Sequence, residues 1–168
     1  PLKNILDTTQ NIIEFIHVLW TLKGLNAISD NDLIDKIIVE KDPRKLIQLY
    51  TILEPIKDKG HNKTEFINKT KEWINDSTIA PYIAFKSYTL AAYGDPIMDD
   101  IQKLLLTTYP FSKTIAQAII SVSPGYEVML NRLLKTITQL PENAVVFEEL
   151  QRVFTYVKET QKPGKERL

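Results

Sequence analysis

Apolar residues recur along this chain at intervals of three and four, the period of an α-helix, almost from end to end. Ile12, Phe15, Ile16, Leu19 and Leu22 mark a first helix over about residues 4–25, with Gly24 near its C-terminal end. Leu33, Ile34, Ile37 and Ile38 line a short second helix over 29–40, with Ser29 as its N-cap and Asp30 and Asp32 in its first turn. Asp42-Pro43 opens a third over 43–59, striped by Leu46, Leu49, Tyr50 and Leu53. Pro55 predicts a kink or an early end within it, while Lys57, Lys59 and Gly60 suit a helix C-terminus. Asn62 and Glu65 resemble a capping box ahead of Phe66, Trp73 and Ile74 on a fourth helix, 63–75.

The pattern continues. Ser77 or Thr78 starts a fifth helix to residue 93, with Pro81 in its first turn, and Gly94 stops it. Asp95-Pro96 opens a sixth over 96–109, which Pro110 ends. A seventh runs over about 112–122 and carries Ile115, Ala118 and Ile119. Ser123-Pro124 opens an eighth with Leu130, Leu133, Leu134 and Ile137 on one face. Pro141-Glu142 opens a ninth, 142–160, with Val146, Leu150, Val153, Phe154 and Val157. No Asn-Gly or Asp-Gly hairpin turn occurs, so no sheet is expected. The expected fold is all-α: about nine helices, as stacked antiparallel helical hairpins (α-solenoid-like) or as an irregular helical bundle.

Punctuation favours the stack. Gly24, Gly60, Gly94 and Gly125 are 36, 34 and 31 residues apart, about one helix-turn-helix repeat. Each hairpin then carries an apolar stripe that only a neighbouring hairpin can cover. The expected organisation is a single helical domain over 1–160, part of a longer protein, with a polar tail at 161–168.

Composition removes several functions. Lys+Arg and Asp+Glu both count 21, so no net field draws in nucleic acid or an anionic membrane, and no nucleic-acid partner is expected. The cluster of Lys158, Lys162, Lys165 and Arg167 is interrupted by Glu159 and Glu166. No apolar run approaches the roughly 20 residues of a transmembrane helix. The absence of Cys rules out disulfides, thiolate metal sites and a Cys nucleophile, and fits a cytosolic-type compartment. Three N-x-[ST] triplets, at Asn62, Asn68 and Asn75, follow from a chain rich in Asn, Lys and Thr.

Candidate chemistry is sparse. His17 sits within an apolar helix and is expected to pack at the core or its boundary; His61 falls in a turn. Glu14 stands three residues before His17 and Glu65 four after His61, but the two histidines are 44 residues apart and no further His or Cys joins either pair, so no metal site is expected. The doublets Asp99-Asp100 and Glu148-Glu149 point about 100° apart on a helix and read as solvated faces. No catalytic or cofactor-binding residue is assigned, and the chain is expected not to be an enzyme. What stands out is apolar and aromatic. Between Leu104 and Tyr126 the only charge is Lys113, and upstream Tyr82, Phe85, Tyr88 and Tyr93 gather around Lys86. These stretches are expected either to be the central helices of the domain, covered on several sides, or to leave part of their surface as a partner-binding patch. Tyr82, Phe85, Tyr109 and Phe111 are the candidate partner-binding residues, because aromatics are enriched at interface cores.

Leu22-Lys23-Gly24-Leu25-Asn26, Ser29-Asp30-Asn31, Asp42-Pro43, Leu46, Leu53, and then Lys59-Gly60-His61-Asn62 with Phe66 form a degenerate repeat over about residues 19–70. It resembles the helical-hairpin repeats of large effector proteins from Legionella-type intracellular bacteria. A looser likeness, to tetratricopeptide or armadillo-like arrays, lacks the former's Trp, Tyr and Ala positions. The resemblance to effector repeats implies a scaffold or targeting region acting in a host cytosol, and it carries over no catalytic residue. The expected function is a non-catalytic module that binds a protein partner. The alternative is an accessory helical domain that binds a lipid headgroup at a membrane periphery or regulates an enzyme domain elsewhere in the chain.

Overall fold

The structure is a computed structural model that describes residues 1–56, 58, 60–122, 133 and 138–160. Among these there are nine α-helices, one 3-10 helix and no strand. The helices are α1 (Leu2–Thr8), α2 (Ile12–Gly24), α3 (Asp30–Val39), α4 (Pro43–Ile52), α5 (Lys63–Trp73), α6 (Ala80–Lys86), α7 (Asp95–Thr108), α8 (Lys113–Ser121) and α9 (Val145–Thr160). The 3-10 helix, Ser87–Tyr93, continues α6. The expected eighth helix and the 161–168 tail lie outside the described residues, apart from Leu133, which is helical and buried.

Local chemistry explains most boundaries. Ser29 accepts the Asp32 N–H while Asp32 accepts the Ser29 N–H, a reciprocal capping box. Asp42 and Ser112 are one-way N-caps that accept the N–H groups of Arg44 and Ile115. These accepted bonds hold the carboxyls of Asp32 and Asp42 below the usual carboxylate range; the Ser29 backbone N–H leads for the first and the Arg44 side chain for the second.

The expected helix 4–25 is instead two helices. Asn11 accepts the N–H groups of Ile13 and Glu14, and Thr9 Oγ1 accepts the Asn11 N–H while donating to Glu14. This polar knot competes with the helical ladder although the apolar period continues through it. The third helix stops at Ile52, before Pro55 disfavours a helical Glu54, so it does not reach Gly60. The fifth helix starts at Ala80 after a turn in which Asp76 accepts the Thr78 N–H, and it tightens to 3-10 after Lys86. The last helix starts at Val145, later than expected, where its first N–H donates to Pro110 O at 2.9 Å. Asn62 is no capping-box residue: at φ +43° it donates to Asp35 instead.

The glycine stops hold in position at Gly24, the last residue of α2, and at Gly94, the C-cap of the 3-10 helix, but they differ in conformation. After α2 the left-handed residue is Asn26 at φ +51°, and Gly24 remains helical. Gly60 lies in the loop before α5. Gly94, at φ +115°, is the one of the three whose backbone needs a glycine.

Helices two apart in sequence lie side by side and run the same way. Lys3 pairs with Asp32 and Asp7 with Lys36, which sets α1 parallel to α3. Lys45 Nζ donates to Thr9 O at the starts of α2 and α4, and Lys23 pairs with Glu54 at their ends. Lys86 Nζ donates to Leu53 O where α4 and α6 end. Tyr109 Oη donates to Ile74 O where α5 and α7 end. Gln117 donates to Glu149 and so joins α8 to α9, the next described helix. One layer is therefore α1, α3, α5 and α7, and the other α2, α4, α6, α8 and α9. The core between them includes Phe15, Leu19, Leu33, Ile37, Leu46, Leu49, Tyr50, Phe66, Ile83, Ile101, Leu105 and Ile119.

The side-chain bonds that tie one helix to another are regular in sequence. From His61–Asp35, 26 residues apart, to Lys45–Thr9, 36 apart, they span about one hairpin. Tyr50–Thr70 and Gln102–Ser87 are shorter, spanning 20 and 15 residues.

Tyr50 is buried against Phe66, with ring centroids 6.5 Å apart. Thr70 Oγ1 donates its only proton to Phe66 O, so Tyr50 Oη is the donor in its 3.0 Å bond to Thr70. Burial raises the phenol well above its ordinary pKa, with the Thr70 bond opposing the shift. The unfolded chain then loses this proton above pH 10 while the folded chain keeps it. Stability from Tyr50 is present below pH 10 and is lost as pH rises further. Tyr50→Phe is expected to cost about 1 kcal/mol at pH 7 and to flatten the fall in urea midpoint above pH 10. An unchanged alkaline slope would refute the assignment. A Cβ added at Gly24 would meet no neighbour within 4 Å, so Gly24→Ala should raise stability by about 0.5–1 kcal/mol, whereas Gly94→Ala should lower it by a similar or larger amount. Thermal unfolding of the two variants measures the opposite signs.

Candidate functional site

The candidate residues divide between surface and scaffold. On α6, Ala80, Ile83 and Ala84 face the core, which turns Tyr82 and Phe85, three residues apart, outward. They are 38% and 49% exposed, and Tyr88 just beyond is 42% exposed. Phe111, in the turn between α7 and α8, is 61% exposed. Tyr109 differs: it is half-buried against the core, and its hydroxyl donates to Ile74 O at 2.8 Å. Its role in the structure is to tie the end of α7 to the end of α5, and desolvation raises its phenol above the ordinary pKa.

Sequence reasoning missed Trp20. It is 46% exposed on α2, and its indole N–H donates to Gln48 Oε1 of α4 at 3.1 Å. The signal was present: Trp20 falls between Leu19 and Leu22 on the stripe but belongs to the opposite face with Ile13 and His17, both exposed. His17 is thus at the surface and not at the core boundary as expected. Glu149 corrects the solvated-face reading of Glu148-Glu149. It is 7% exposed and accepts from Gln117 Nε2 at 3.1 Å and Arg152 at 3.0 Å, with Lys113 Nζ at 3.9 Å. Glu148 is exposed.

The remaining titratable groups hold helices together. Asp35 Oδ1 accepts from His61 Nε2 and from Asn62 Nδ2, both at 2.7 Å, joining α3 to the start of α5. Lys45 is 7% exposed, donates to Thr9 O and lies 5.0 Å from the Phe15 ring centroid. Burial lowers the Lys86 amine below the ordinary lysine range, and Glu54 opposes that shift. Lys23 and Lys86, distant in sequence, converge on Glu54 and the Leu53 carbonyl, so their charges already face an acid and a helix end. Among the described residues no group of His, Asp and Glu could hold a metal ion, and no helix is long and apolar enough to cross a membrane.

The aromatic positions can be sorted by stability. Tyr109→Phe should cost about 1 kcal/mol because it removes a bond to a half-buried carbonyl, whereas Phe85→Ser and Phe111→Ser should stay within about 0.5 kcal/mol of the parent. Urea unfolding of the three variants checks this, and a large loss for Phe111→Ser would make it a packing residue. No family model, curated protein or solved structure matches this chain.

Proposed function

We propose that this chain is a non-catalytic array of helical hairpins that binds a protein partner through the layer formed by α2, α4, α6 and α8. The observation that carries the reading is the outward placement of Tyr82, Phe85 and Phe111 on a body whose core is already filled by other side chains. Exposed aromatics supply large contact area at little conformational cost, as interface anchors do. The bonds spaced by one hairpin support the repeat reading, since a stack of hairpins makes its contacts between neighbours. The resemblance of residues 19–70 to effector repeats supports a scaffold or targeting role in a host cytosol. Catalysis has less support, because Glu149 and His61 are engaged in helix-to-helix bonds. The lipid reading has less support as well, because Lys23 and Lys86 already face Glu54 and Leu53 O.

The test places a photo-crosslinking phenylalanine analogue at Phe85 or Phe111 and irradiates the protein in a cell lysate. A defined protein adduct, abolished by Phe85→Asp or Phe111→Asp with unchanged helical circular dichroism, is the expected result. Absence of any protein adduct together with sedimentation on anionic liposomes would overturn the reading in favour of a lipid-binding accessory domain.

A further inference from the structure

One polar or aromatic side chain per helix stands at a matching level across the α2–α9 layer: Trp20, Gln48, Tyr82, Gln117 and Arg152. Their separations are close to the hairpin period. Direct bonds fix two of the steps: Trp20 donates to Gln48, and Gln117 and Arg152 both donate to Glu149. The other two follow from register. Lys86 reaches Leu53 O, so α4 and α6 end together; Gln48 is five residues before Leu53, and Tyr82 four before Lys86. The Tyr109–Ile74 bond sets the turns ahead of α6 and α8 side by side, so these helices start together. Tyr82 is the third residue of α6 and Gln117 the fifth of α8. At 1.5 Å per residue each pair is level to within about 3 Å.

The rungs have unused hydrogen-bonding capacity. Gln48 spends its oxygen on Trp20, which leaves its two amide N–H groups toward solvent. Gln117 spends an N–H on Glu149, which leaves its oxygen. The Tyr82 hydroxyl makes no bond among the described residues. Donors and acceptors of this neutral, amide-like kind match the N–H and C=O groups of a peptide backbone. Packed helices lie about 8–10 Å apart, and an extended chain in the polyproline II conformation advances about 3.1 Å per residue with three residues per turn. One rung therefore meets every third residue, on one face, of such a segment laid across the helices, and the five rungs span about a dozen residues.

We infer that this layer holds an extended, near-neutral polypeptide segment, bonded through its backbone to Gln48, Tyr82 and Gln117, with apolar side chains seated on Trp20 and Phe85. The inference rests on the protein-binding reading above and specifies the conformation of the partner.

The test pans a phage-displayed library of random 12-residue peptides against the intact chain. The best binder is then synthesised with a fluorophore for anisotropy titration. A Gln48→Ala/Gln117→Ala variant, at half-exposed and exposed positions, is expected to weaken binding at least tenfold with unchanged circular dichroism. N-methylation of the central peptide amides should weaken it similarly. Tyr82→Phe, which keeps the ring and removes the hydroxyl, should weaken it a few-fold. Failure to enrich any peptide overturns the inference. So does equal affinity for the double variant, insensitivity to N-methylation, or a peptide that binds as a helix. A crosslinked protein partner at Phe85 or Phe111 alongside any of these failures would leave the protein-binding reading standing with a folded surface as its ligand.

Discussion

Leu46, Leu49, Tyr50 and Leu53 on and just after α4 pack in the core of the described molecule, and they show the constraint on which the rest depends. A ten-residue helix in water is marginal by itself, and a pair of such helices cannot cover its own apolar stripe. The stripe of α4 is covered by α2 on one flank and α6 on the other, while α3 and its neighbours close the second layer. The polar tethers are subordinate to that burial. Lys3–Asp32, Lys23–Glu54 and Lys71–Asp100 are exposed or partly exposed and contribute little energy. What they set is register: each pairs a given turn of one helix with a given turn of the helix two further on.

Buried polar groups follow the same logic with higher stakes. Lys45, Glu149, Thr70 and Gln102 are all buried, and each finds a partner on another element. A buried charge without such a partner would be strongly destabilising. Lys45 has the Thr9 carbonyl and the Phe15 ring; Glu149 has an amide and two cations. These groups join helices whose apolar stripes alone would tolerate a sliding contact.

What the sequence disclosed was what local chemistry decides. Ser29, Asp42 and Ser112 are caps because a short side chain with an oxygen acceptor satisfies free N–H groups wherever the neighbours lie. The end of α4 before Pro55 is equally local. The break at Asn11 was hidden because the apolar period runs across it; only the bonds among Thr9, Asn11 and Glu14 reveal it. Burial of Glu149 was hidden for a different reason: its partners Lys113 and Gln117 are more than 30 residues away. At the candidate site, the shared face of Tyr82 and Phe85 was legible from their spacing. The tethering role of Tyr109 was not, since it depends on where Ile74 comes to rest.

The spacing of 26 to 36 residues between bonded partners also bears on how the chain folds. Loop closure over such a distance costs only slightly more than over a shorter one, and no described tether asks the two ends of the chain to meet. Nucleation can then begin wherever two bonded helices meet and spread to the helices packed beside them. By the relation between contact order and rate, helical contacts of this range favour the faster side for the length of the chain, and a segment can gain order during synthesis once both partners of such a bond have emerged.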